Sequence, residues 1–111
     1  MLRSLLVCAA VATTAFTGTA FAEALKTYEL VLKGDVFTPA QIKVPAGAAF
    51  MIKMKNENAA PAELEAKLLK IEKVAAGQSS IVVRVRGLDP GKYLFVDEFQ
   101  EQTAKGYVIA E

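Results

Sequence analysis

The residues with the clearest chemical potential are acids. Glu63 and Glu65 stand two apart, and Asp97, Glu98 and Glu101 crowd one short stretch near the C-terminus. On a strand, residues two apart share a face with about 7 Å between their α-carbons. Carboxylate oxygens are hard donors, and hard donors suit hard cations. For a redox-active ion the higher oxidation state is the harder one, so an all-carboxylate site would stabilise the oxidised ion. The competing reading is that these are ordinary solvated surface acids.

Other chemistries lack their residues. The chain has no histidine and no tryptophan, and Cys8 is its only cysteine. Ser-His-Asp triads, zinc sites built on Cys or His, and histidine general bases are therefore excluded. So is a blue-copper centre, which needs His and Cys ligands. Met51 and Met54 offer soft thioethers, but Met54 shares a strand face with Phe50 and Ile52 and reads as core. Asp35, in Lys33-Gly34-Asp35, is either a further acid for the site or a plain turn residue.

The first 22 residues read as a secretory signal peptide. Arg3 is the only charge before Glu23, Leu5–Ala15 is apolar apart from Thr13 and Thr14, and Ala20-Phe21-Ala22 offers small residues at a processing site. The apolar run falls short of the ~20 residues a membrane span needs. Cleavage after Ala22 is expected, leaving residues 23–111 as one small exported domain. Of the 13 Lys and Arg, Arg3 leaves with the signal, so the remainder balances 12 acids. No basic patch interleaved with aromatics is present, so nucleic acid is not an expected partner. Nor is there a basic amphipathic stretch for the membrane surface, and no direct insertion is expected.

The elements that must position the acids read as strands. Tyr28, Leu30 and Leu32 alternate within Leu25–Lys33, and Gln41–Val44 is a short strand stopped by Pro45. Phe50, Ile52 and Met54 alternate with Met51, Lys53 and Lys55; Ile81, Val83 and Val85 alternate with Val82, Arg84 and Arg86. Tyr93 and Phe95 form an inward pair, and Tyr107–Ala110 closes the chain, with Tyr107 expected in the core. Alternation of this kind indicates sheets with one buried and one wet face. Pro45-Ala46-Gly47, Ala76-Gly77 and Asp89-Pro90-Gly91 supply the turns. The segment Ala59–Lys73 is ambiguous, because Leu64, Leu68, Leu69 and Ile71 would also line one face of a helix. Short strands at this spacing predict a small all-β sandwich or barrel.

The ordered motifs resemble a family. Phe37-x-Pro39-x-x-Ile42-x-Val44-Pro45-Ala46-Gly47 is followed by an alternating strand ending in Asn56, then Ala62-Glu63-Leu64-Glu65 and Glu72-Lys73-Val74. Leu88-x-Pro90-Gly91-x-Tyr93-x-Phe95, Glu98-Phe99, Thr103-Ala104 and Gly106 complete the series. Together they resemble the cupredoxin-like domains of bacterial periplasmic proteins over residues 25–110. The resemblance implies a Greek-key β-sandwich with any metal at one end. In copper-binding members one His follows the Asn, and Cys, His and Met come from the loop before the last strand. This sequence departs from that set: Ala62 stands at the first His, Asp97 near the Cys and Gln100 near the second His.

The Glu63-Leu64-Glu65 segment, the Glu72-Lys73 pair and the Asp97-Glu98-Phe99 loop resemble a narrower group, the cupredoxin-like proteins of bacterial iron uptake. That resemblance implies a metal site at Glu63, Asp97, Glu98, Glu101 and Glu65, with iron (Fe²⁺/Fe³⁺) as the ion and copper less favoured. It also implies periplasmic and membrane partners, including an iron permease. A single iron site loses one electron per turnover, so an acceptor outside the chain is required. Two other classes compete: a copper relay using Met and carboxylates, and a metal-free domain that docks a transport partner.

Overall fold

In the computed structural model the described residues are 24–111, together with positions 10 and 12. The cleavage site and the expected signal peptide, apart from those two positions, fall outside them. Nine strands form two sheets. They are β1 (Thr27–Lys33), β2 (Val36–Thr38), β3 (Gln41–Val44), β4 (Phe50–Asn56), β5 (Ala62–Ala66), β6 (Ile71–Ala75), β7 (Ser80–Val85), β8 (Gly91–Asp97) and β9 (Lys105–Ala110). One sheet runs β2-β1-β4-β7 and the other β3-β9-β8-β5-β6. The pairs β1–β4 and β3–β9 are parallel; the other paired strands are antiparallel. This is the expected all-β sandwich. Among the described residues no helix is long and apolar enough to cross a membrane.

The alternating residues meet between the sheets. Leu30, Leu32, Phe50, Ile52, Met54, Val85, Phe95 and Val108 are buried, and Ile81, Val83 and Tyr93 pack half-buried against them. Phe37 and Phe95 pack edge to face across the core with centroids 5.1 Å apart, and Tyr28 and Phe50 do the same at 5.6 Å. Such pairs add to the burial of their area because ring edges and faces carry opposite partial charge. Lys53, Lys55, Arg84 and Arg86 are exposed, as their strand parity requires.

One ambiguity is resolved and one expectation corrected. The segment Ala59–Lys73 is a hairpin and not a helix: β5, a 3₁₀ turn at Lys67–Leu69, and β6. Leu64, Leu69 and Ile71 are buried, whereas Leu68 is 64% exposed. Lys70 takes a left-handed conformation at φ 55°, which turns the chain before β6. Burial on β5 alternates with period 2 through Ala62, Leu64 and Ala66, and that pattern suits a strand. Tyr107 is likewise not a core residue. Gly106 and Val108 point inward on β9, so Tyr107 is half-buried on the outer face under the Lys92 ammonium, 4.0 Å from its ring centroid.

Candidate metal centre

The acids are placed by strand parity and by one tight turn. With Ala62, Leu64 and Ala66 buried, Glu63 and Glu65 must face outward, half-buried on the outer side of the five-stranded sheet. In the β5–β6 register Glu65 stands opposite Glu72, and Glu63 stands opposite Val74. β8 pairs with β5 on its other side and ends at Asp97, beside Leu64. The chain then enters the 3₁₀ turn Glu98–Gln100, which throws Glu98 outward onto the same surface. One carboxylate oxygen from each of Glu63, Glu72 and Glu98 lies within 4.8 Å of the others.

Carboxylates this close disfavour one another's charged form. A hydrogen bond with Glu63 is the largest influence raising Glu98 above the ordinary carboxylate range; partial desolvation and the charges of Glu63 and Glu72 act in the same direction, while its contact with Glu65 opposes them. Glu65 is also raised, first by desolvation, then by a hydrogen bond and charge repulsion from Glu98 and by the charge of Glu72. Lys67 pulls Glu65 the other way, with its Nζ 3.9 Å from a Glu65 oxygen. A divalent cation between these oxygens would remove the repulsion.

The other predicted ligands are arranged differently. Asp97 is 1% exposed and turned inward. Its Oδ1 accepts the backbone N–H groups of Glu63 at 3.0 Å and Phe99 at 3.2 Å, and its Oδ2 accepts the Gln100 side-chain amide at 2.9 Å. Glu101 is exposed and lines a groove with Lys67, Leu68, Leu94 and Lys105. Asp35 is exposed beside the Gly34 turn, whose carbonyl accepts Gln100 Nε2 at 3.1 Å and Asn58 Nδ2 at 2.9 Å. The structure thus gathers Glu63, Glu65 and Glu98 and adds Glu72. Glu72 escaped the sequence reading as a ligand because its place opposite Glu65 depends on a hairpin that also read as a helix.

Buried Asn56 anchors the loop leading to β5. Its Nδ2 donates to the carbonyls of Ala60 at 2.9 Å and Ala76 at 3.2 Å, and its Oδ1 accepts Asn58 N–H at 3.0 Å. These bonds set where Ala62 and Glu63 begin the strand.

Comparison with known proteins identifies the scaffold. The sequence profile of the cupredoxin-like domain matches residues 6–110. The chain belongs to the cupredoxin-like domain family. An uncharacterized protein of Rickettsia prowazekii (strain Madrid E) is 28% identical over 81 residues, which cover 73% of this chain. The match spans 65% of that relative's length. Among solved structures, the metal-binding domain of the Cu(I)-exporting P-type ATPase CopA from Streptococcus pneumoniae D39 aligns with a TM-score of 0.71 at 14% identity. That alignment covers 80% of this chain and 88% of the CopA domain. Auracyanin A, a blue copper protein of Chloroflexus aurantiacus, aligns with a TM-score of 0.68 at 15% identity, over 79% of this chain and all of its own. At these identities the likeness is one of fold.

The donors of this cupredoxin-like domain do not fit a thiolate copper centre. The sequence has no histidine, and its one cysteine, Cys8, precedes the sandwich. Ala62 is buried without a donor, and Met54 is sealed in the core at 0% exposure. What the domain presents at this end instead is oxygen.

Proposed function

We propose that this cupredoxin-like protein is an exported metal-binding protein that takes up ferrous iron on the Glu63–Glu72–Glu98 cluster and favours its oxidation before passage through a membrane permease. The observation that carries the reading is the approach of those three carboxylates to within 4.8 Å, with Glu65 beside them. Hard anionic oxygens bind Fe³⁺ more tightly than Fe²⁺, so the site lowers the reduction potential of the iron it holds. The electron released passes to an acceptor outside the chain, either oxygen or a metal on a partner. The periplasmic location and the transport partners belong to the same reading, supported by the signal-like first 22 residues and the resemblance in the acidic motifs.

Anaerobic calorimetry with Fe²⁺, Mn²⁺ and Cu²⁺ on the mature chain tests it. Binding of Fe²⁺ and Mn²⁺ with loss of both in Glu98→Gln is the expected result. Preference for Cu²⁺ would turn the assignment toward a copper relay, as the copper-holding structural neighbours suggest. Silence for all three ions would leave a docking domain.

A further inference from the structure

Asp97 joins the two chain segments that carry the cluster. Its Oδ1 takes the N–H of Glu63 itself and the N–H of Phe99, the residue after Glu98. One oxygen thus ties the backbone of Glu63, 34 residues away in sequence, to the amide that follows Glu98. The second oxygen is held by Gln100, which also donates to the Gly34 carbonyl, so the β1–β2 turn braces the same corner. Ala104 closes the loop behind it: its N–H donates to Gln100 O at 2.9 Å, and its carbonyl accepts Asp97 N–H at 3.1 Å. A buried carboxylate needs its lone pairs occupied, and here charge-assisted bonds to two backbone amides and one side-chain amide occupy them.

We infer that Asp97, near the position where the resemblance puts the Cys of copper-binding relatives, is not a metal ligand but a buried strut that sets the spacing between Glu63 and Glu98. The inference rests on the cluster reading above and assigns Asp97 a positioning role within it. The carboxylate faces inward while the cluster faces out, and its two oxygens already serve three donors. If the strut is lost, the start of β5 and the turn at Glu98 are free to separate, and the carboxylates lose their common focus. Groups that orient metal ligands from behind typically contribute 10- to 100-fold to affinity.

Two substitutions separate strut from ligand because both remove the same charge. Asp97→Asn keeps an oxygen for the Glu63 and Phe99 amides and gives up only the bond to Gln100. Asp97→Ala keeps nothing. Mn²⁺ affinity by calorimetry and amide hydrogen exchange at Glu63 and Phe99 are the two readouts. The strut predicts that Asp97→Ala binds Mn²⁺ about tenfold or more weakly than Asp97→Asn, with fast exchange at both amides only in the alanine variant. A ligand role predicts that both variants bind equally weakly while the asparagine variant keeps its protected amides, and that result would overturn the inference. Should Asp97→Ala not fold, Asp97→Asn alone decides. Affinity near wild type supports the strut, and a loss equal to that of Glu98→Gln defeats it. If the wild-type chain binds no cation, the cluster reading falls and exchange alone judges the strut: slow in the asparagine variant and fast in the alanine variant supports it, and any other pairing rejects it.

Discussion

Glu65 and Glu72 stand directly opposite each other across the β5–β6 pair. Like charges at opposed positions of a hairpin repel and destabilise it, and Glu98 adds a third negative group to the same surface. A fold built only for stability would place a lysine at one of these positions. The arrangement has a measurable consequence for stability against pH.

Glu65 and Glu98 both sit above the ordinary carboxylate value of 4.5 in the folded chain. The folded state therefore holds their protons more tightly than the unfolded state does. That contribution to stability is complete below 4.5 and is lost as pH rises through the raised folded values. The double variant Glu65→Gln/Glu98→Gln removes it. Urea midpoints measured without metal should show the variant more stable than wild type at neutral pH, with the gap closing on acidification. Parallel curves for the two proteins would contradict the raised values of Glu65 and Glu98.

Cation affinity should run the opposite way. Protons and metal compete for the same oxygens, so Mn²⁺ affinity should fall as pH drops through the raised carboxylate range. Titration by calorimetry at several pH values, with proton release measured in two buffers, checks it. Affinity independent of pH would place the ion elsewhere.

Glu63→Gln keeps the shape of the side chain and its backbone bond to Asp97 while removing one charge from the cluster. It should weaken Fe²⁺ or Mn²⁺ binding by about 10-fold or more and leave the thermal midpoint near wild type. Glu29→Gln, on the exposed face of β1 in the other sheet, is the matched control and should bind like wild type. Equal weakening in both variants would mean that only overall charge matters.

The core makes its own predictions. Phe95 is 1% exposed and packs against Phe37, so Phe95→Ala should cost about 3–5 kcal/mol by denaturation. A Cβ on Gly106 would run into the Phe95 ring and lie 2.9 Å from the Ala40 carbonyl. Gly106→Ala should therefore cost about 1–3 kcal/mol, and less in a Phe95→Leu background. Strict additivity of the two changes would show that the ring is not what the new methyl meets.

Leu68 provides the contrast. At 64% exposure on the 3₁₀ turn it contributes little packing, so Leu68→Ser should change stability by no more than about 0.5 kcal/mol. A core-sized loss would restore the helical reading of its segment.

The sequence by itself determined the half-buried sheets. Alternation along Tyr28–Leu32, Phe50–Met54 and Ile81–Val85 gives strands with one apolar face, which must be buried; a sandwich and a barrel both satisfy it, and the resemblance pointed to the sandwich. The absence of histidine likewise removed imidazole from the donors the chain can offer a metal. Only the tertiary structure decided which oxygens meet. Glu72 reaches Glu65 through a hairpin whose apolar residues satisfied a helical period almost as well, and Leu68 shows its direction only once Lys70 turns the chain. Asp97 and Glu98 are adjacent in sequence and look equivalent there. Successive side chains at the end of a strand point to opposite faces, so one carboxylate is taken into the fold and holds it together, while the other is left outside.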